Sequence, residues 1–244
     1  VISGVQVDEQ IVMSPETQTI TQIKDEKNEE AKRLRIDRYG WERYLAETGA
    51  EVLGLPAPEG PHQDQTFSPD RQPRDGESLR LGGVELRVLH TPGHASNHLC
   101  FLRETDGWLF TGDHIINGST VVIDPPDGSM SAYLDSLRRL RALSASAIAG
   151  GHGAVFDDPV TAIDQLIAHR LRREAKVIDK LEEHDGLQLS ELVTHVYDDV
   201  DPSLHRLAER SLLAHLLKLG VERHVTVKDE RWFIGPGNYS QRVR

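Results

Sequence analysis

Apolar and polar residues alternate at period 2 through Leu79-Arg80-Leu81 and Val84-Glu85-Leu86-Arg87-Val88-Leu89, on either side of Gly82-Gly83. Alternation turns one face of each segment toward a core, and a glycine pair supplies a tight turn, so a β-hairpin is predicted. A second pair, Leu99-Cys100-Phe101-Leu102 and Trp108-Leu109-Phe110-Thr111, flanks the turn Thr105-Asp106-Gly107, and Val121-Val122-Ile123 is a third β-like run. The rhythm then lengthens to helical spacing at Met130–Leu143, returns to a strand at Ala147-Ile148-Ala149, and becomes a long helix from Pro159 to Glu183. Leu189–Tyr197 and Pro202–Leu219 predict two more helices, and Val225-Thr226-Val227 with Arg231-Trp232-Phe233-Ile234 a closing hairpin.

Ahead of these elements, residues 1–22 hold short β-favouring pieces such as Gln10-Ile11-Val12-Met13. Lys24 to Glu47 predicts a charged helix with Ala31, Leu34, Trp41, Tyr44 and Leu45 on one face and Gly40 as its weak point. Glu51–Leu55 reads as a short buried strand. Pro56 to Glu77, with five prolines, reads as a long loop of the kind that lies at a surface or over a site. The expectation is a mixed α/β core over residues 1–183, atypical over 1–32, and a tail over 184–244 whose helix, turn, helix and hairpin resemble a winged-helix module.

Composition narrows the function. At 244 residues with 38% hydrophobic and 27% charged content, the chain has the makeup of an ordinary globular protein. A net charge of −11 argues against a broad basic surface for nucleic acid. The tail, residues 187–244, carries eight Lys or Arg and eight Asp or Glu, so strong duplex-DNA binding is not expected; packing on the core or gating a cleft suits it better. The single cysteine, Cys100, excludes an intrachain disulfide and reads as a small core residue. No run approaches the ~18 apolar residues of a membrane span, and the start lacks the pattern of a signal peptide, so a cytoplasmic protein is expected. The chain begins at Val1, which suggests that residues were removed ahead of it.

Candidate chemistry sits where predicted strands end in glycine turns. Thr91-Pro92-Gly93-His94 follows Val84–Leu89, Thr111-Gly112-Asp113 follows Trp108–Phe110, and Gly150-Gly151-His152-Gly153 follows Ala147–Ala149. Loops at strand ends converge on one edge of a sheet, which can gather two imidazoles and a carboxylate. These are ligand types of a catalytic zinc site. His98 and His114 lie beside these loops and can orient ligands, although a satisfied structural histidine is the simpler reading. For His169 and Arg170 the simpler reading is a solvated helix side.

Thr-Pro-Gly-His, Phe-Thr-Gly-Asp and Gly-His-Gly, in this order after strands, resemble the metallo-β-lactamase superfamily over residues 33–183. The tail, through Ser211-Leu212-Leu213-Ala214-His215-Leu216-Leu217-Lys218-Leu219, resembles the winged-helix-like region of a β-lactamase-like subfamily that includes endoribonucleases. The resemblance implies an α+β fold, an αβ/βα sandwich, and hydrolysis by a hydroxide held between two metal ions. It implies His94 as a ligand of the first metal, Asp113 as the bridging carboxylate and His152 as a ligand of the second.

The superfamily's His-x-His-x-Asp-His motif does not occur in this chain. Its best register is Arg33-x-Arg35-x-Asp37-Arg38, in which only Asp37 matches. Arginine stays protonated and has no lone pair for a metal, so Arg33, Arg35 and Arg38 cannot replace imidazoles. Three readings remain: a four-ligand site of His94, Asp113, His152 and Asp37 holding one zinc rather than two; a metal-free pocket whose arginines grip a phosphate or carboxylate; or a charged helix outside any site, held by pairs such as Glu29–Arg33.

Two functions follow. One is a metal-dependent hydrolase of an ester, thioester or phosphodiester in a small molecule or short nucleic acid, with Asp37 as ligand or proton acceptor. The other is a non-catalytic or truncated protein of the same fold that binds an anionic ligand or a partner. If N-terminal strands are missing, an uncovered sheet edge or face favours self-association into a homo-oligomer.

Overall fold

The computed structural model describes residues 10–12, 49–60, 63, 65, 67–81, 83–237 and 239. The predicted helix Lys24–Glu47, with Arg33, Arg35, Asp37 and Arg38, lies outside the described residues, as does His62. The chain forms two units. One comprises Val1–Pro92, Ser96–Val121 and Leu143–Pro159; the other comprises Gly93–Ala95, Val122–Ala142 and Val160–Arg244.

The first unit is built on strands. β1 (Gln10–Val12) pairs in parallel with β2 (Glu51–Leu53). β3 (Ser78–Leu81), β4 (Val84–His90), β5 (Leu99–Arg103), β6 (Trp108–Gly112) and β7 (Ala147–Gly150) form one sheet in that order. The hairpins expected around Gly82-Gly83 and Thr105-Asp106-Gly107 are present as antiparallel pairs. On one face Leu79, Leu86, Val88 and Leu99 bury against Leu53. The register places Leu89, Cys100, Leu102, Leu109 and Ile148 on the other face, and all of them are buried too. Cys100 is the small core residue its neighbours predict.

Strand direction decides where the loops emerge. β4 is antiparallel to β5 and β5 to β6, while β6 and β7 are parallel, so β4, β6 and β7 all run the same way. Their C-terminal ends therefore share one edge of the sheet, the edge at which the three glycine loops begin.

The second unit is helical. α1 (Met130–Arg141) starts at the N-cap Ser129, whose hydroxyl accepts from Ala132 N, and buries Met130, Tyr133, Leu134, Leu137 and Leu140 at helical spacing. α2 (Pro159–Glu183) has proline in its first turn, where the missing N–H costs nothing. α3 (Leu189–Val196) and α4 (His205–Val221) follow, and β8 (Leu187–Gln188), β10 (Arg231–Ile234) and β9 (Val225–Lys228) form a three-stranded sheet in that order. Val177, Ile178 and Leu181 of α2 join Leu192, Val193, Leu212, Leu216 and Leu219 in one core.

Three expectations change. Pro202–Leu204 is a separate 3-10 turn, and α4 begins at His205. Val121-Val122-Ile123 is not a strand, because side chains take its backbone groups: Val122 O pairs with His94 Nδ1 and Ile123 N with Ser211 Oγ. Arg170 is not on a solvated helix side but is 3% exposed, with its guanidinium 5.2 Å from the centre of the Tyr133 ring.

Candidate functional site

In the sheet unit, the register of β6 against β7 shifts between Phe110 and Gly112, a bulge that turns the chain just before Asp113. Gly151 N–H donates to Gly112 O at 2.6 Å and ties the two loops together. A Cβ on Gly151 would overlap Asp113 Oδ1, so glycine there is what lets the loops close on the carboxylate. The loop after Asp113 supports the other side: Asn117 N donates to His152 O at 3.2 Å, and the Asn117 amide to Ala154 O at 2.9 Å.

Asp113 and His152 thereby face each other, with His152 Nε2 3.5 Å from Asp113 Oδ1. That oxygen is buried and, among the described residues, accepts no hydrogen bond. Two donors about 2.0–2.1 Å from one tetrahedral ion stand roughly 3.3–3.4 Å apart. The observed spacing is thus that of two ligands sharing a cation, and it is long for a hydrogen bond. A carboxylate oxygen and an imidazole nitrogen are suitable zinc donors, so these residues fit a metal ion.

His94 belongs to the helical unit. Its Nδ1 lies 2.6 Å from Val122 O. A carbonyl can only accept, so Nδ1 carries the proton and the lone pair of the neutral ring is on Nε2, the tautomer of a metal ligand. The preceding glycine is fixed as well. Gly93 O accepts from Ser129 N at 2.8 Å, and with φ at +139° a Cβ on Gly93 would run into the backbone of Tyr133. Among the described residues, no three His, Cys, Asp or Glu side chains are gathered to hold a metal ion.

His98 and His114 are fully buried in the sheet unit, their ring centres 5.3 Å apart. Thr91 Oγ1 sits 2.9 Å from His98 Nδ1 and 3.1 Å from Cys100 Sγ, consistent with a structural role. A second carboxylate and imidazole meet in the helical unit, where Glu174 Oε2 and His215 Nδ1 are 3.6 Å apart with neither side chain exposed. Lys218 Nζ donates to Glu174 Oε1 at 2.9 Å, and Tyr239 OH reaches the same oxygen at 3.3 Å. Burial pushes the Glu174 carboxyl up, but His215 and Lys218 outweigh it and hold it below the ordinary value. Burial pushes the His215 imidazole down. Half-buried His169 is pushed down to about 4, by burial first and then by the charge of Arg170 and Arg173.

The sequence did not single out Glu174, Arg210 or Ser211. Glu174 carries a usable signal, since it falls seven residues from Leu181 and eleven from Ile163 on the buried stripe of α2.

Residues 21–152 match the family model described as metallo-beta-lactamase superfamily. The chain belongs to that superfamily. Residues 189–232 match the beta-lactamase associated winged helix domain, so the α+β fold and the winged-helix character of the tail both hold. As a superfamily member the chain is similar to a beta-lactamase-like protein 2 homolog of Caenorhabditis elegans, 32% identical over 165 residues that cover 66% of this chain and 54% of that protein. It is also 32% identical over 182 residues to an atrochrysone carboxyl ACP thioesterase of Aspergillus chevalieri, covering 68% of this chain and 58% of the relative. Among solved structures, a metallo-beta-lactamase family protein from Thermus thermophilus aligns with a TM-score of 0.63 and 27% identity, over 79% of this chain and 62% of that one. The chain spans little more than half the length of the curated relatives it matches. Among the described residues no helix is long and apolar enough to cross a membrane.

Proposed function

We propose that this chain carries the metal-holding loops of a hydrolase that cleaves a thioester or ester, with a phosphodiester as the remaining substrate class. The observation that carries the reading is the buried Oδ1 of Asp113, without a hydrogen bond among the described residues, at ligand spacing from His152 on glycine turns at strand ends. The thioester comes first because of the thioesterase among the relatives. Asp113 and His152 would hold a divalent cation, which would supply Lewis acidity and an activated nucleophile near neutral pH; His94 is proposed as a ligand on its tautomer alone, and Asp37 as ligand or proton acceptor.

The chain's own groups have distinct tasks. Asp113 brings a negative charge to a partly buried position, where attraction to a cation is stronger than in water. His152, with its side chain 59% exposed, is open to an arriving substrate. His94 presents Nε2 because Val122 O holds the proton on Nδ1. In the proton-acceptor role, Asp37 takes the proton released as water adds to the acyl carbon, and the thiolate or alkoxide departs with the electron pair of the bond that breaks.

The test is elemental analysis of protein purified without chelator, followed by hydrolysis of an acyl-pantetheine thioester. About one zinc per chain, lost in Asp113→Ala together with hydrolysis, is expected; a chain without metal overturns the proposal. A non-catalytic member with an incomplete site is the second reading, favoured by the lack of a three-ligand cluster among the described residues. Zinc binding without hydrolysis of any of the three ester classes would select it.

A further inference from the structure

We propose that Ser211 and Arg210 of α4 are positioning residues for His94, acting through the single peptide group that joins Val122 to Ile123. The inference rests on the reading of His94 as a metal ligand. Three contacts inside the helical unit carry it. His94 Nδ1–H donates to Val122 O at 2.6 Å, Ile123 N–H donates to buried Ser211 Oγ at 3.1 Å, and Arg210 Nη1 pairs with Asp124 Oδ2 at 3.1 Å.

The carbonyl of Val122 and the N–H of Ile123 belong to one planar amide. A rigid plane gripped at both ends has no freedom to rotate, so Ser211 sets the direction in which the Val122 carbonyl points. That carbonyl fixes the His94 ring and its tautomer. The two bonds also polarise each other through the amide, each making the other stronger. Arg210, on the preceding residue of α4, pins the next residue of the loop and limits sliding along the chain. In a strand, both amide groups would be engaged by a neighbouring backbone; here side chains hold them, so the loop's geometry depends on α4.

The test uses two readouts on the whole chain: the ring nitrogen signals of His94 in metal-free, 15N-histidine-labelled protein above the histidine pKa, and zinc affinity by chelator competition. Ser211→Ala is expected to move the His94 ring from the Nδ1–H form toward a mixture of tautomers and to weaken zinc binding by about 10-fold, the lower end for an outer partner of a ligand. Ser211→Thr restores the hydroxyl and with it both readouts. Arg210→Gln, at a partly exposed position that does not threaten folding, gives the same changes at roughly 2- to 3-fold.

Wild-type ring signals and affinity in Ser211→Ala would overturn the inference, as would a fall in melting temperature with both readouts unmoved, or a Ser211→Thr that fails to restore them. If the wild type binds no zinc yet its His94 ring responds to Ser211→Ala, the clamp stands and the metal reading falls.

Discussion

Two carboxylate–imidazole pairs of nearly equal spacing differ in what surrounds the negative charge. Glu174 and His215, 3.6 Å apart and fully buried, have the ammonium of Lys218 2.9 Å from the carboxylate. Asp113 and His152, 3.5 Å apart on glycine turns at strand ends, are partly exposed. Among the described residues both Asp113 Oδ1 and Glu174 Oε2 are buried without a hydrogen bond, so the cation beside Glu174 is what separates the pairs. The first pair is balanced within the chain and holds helices together. The second, at much the same spacing, is partly exposed, an arrangement suited to a charge that arrives from outside. On the proposed function, the same two functional groups are structural in one setting and chemical in the other, and the decisive difference is the supply of positive charge.

The strongest way to break the comparison is Glu174→Ala. It leaves the Lys218 ammonium buried beside His215, and breaking a buried pair in this way costs about 3–5 kcal/mol. Urea unfolding should show a lower midpoint at unchanged slope; a loss below about 1 kcal/mol would mean that Glu222, 2.9 Å from Lys218, carries the charge alone.

Asp113→Ala should behave in the opposite way. Removing a carboxylate whose Oδ1 accepts no hydrogen bond among the described residues should change metal-free stability by only about 0.5 kcal/mol in either direction, while hydrolysis falls by at least about 100-fold. A large loss of stability in the metal-free protein would make Asp113 a structural residue like Glu174 and erase the contrast.

The smallest effect is on pH dependence. His169 and His215 both titrate below the ordinary imidazole value when folded, so the unfolded chain binds protons first as pH falls. The stability they contribute is complete above about pH 6.5 and declines through the acid range toward 4, the folded value of His169. His169→Gln should flatten part of that slope in midpoints measured from neutral pH downward. A wild-type midpoint that rises on acidification would invert the assignment.

Much of the architecture could be read from the sequence because period-2 and helical spacing report directly which side of an element is buried. The strand-end loops were legible for a related reason, since glycine beside Asp113 and His152 marks places where backbones must approach closely. The run Val121–Ile123 misled because β-branched residues suit any extended segment, and nothing local reveals that its amide groups are taken by His94 and by Ser211, 88 residues further on. Arg170 misled because a charged side chain on a helix ordinarily faces solvent. It lies seven residues from Ile163 and seven from Val177, on the stripe that α2 buries, and the Tyr133 ring that receives it comes from another helix. The pairing of Glu174 with Lys218, 44 residues apart, likewise has no local signature.

The amide between Val122 and Ile123 also bears on how such a protein can be rearranged over evolutionary time. One end of that amide meets a residue in the N-terminal family region and the other a residue in the C-terminal one, so on the proposed clamp the two regions would be inherited together at this point. A tail exchanged between relatives keeps the aim of His94 only when it brings a hydroxyl to the place of Ser211. On that proposal a single serine would constrain recombination.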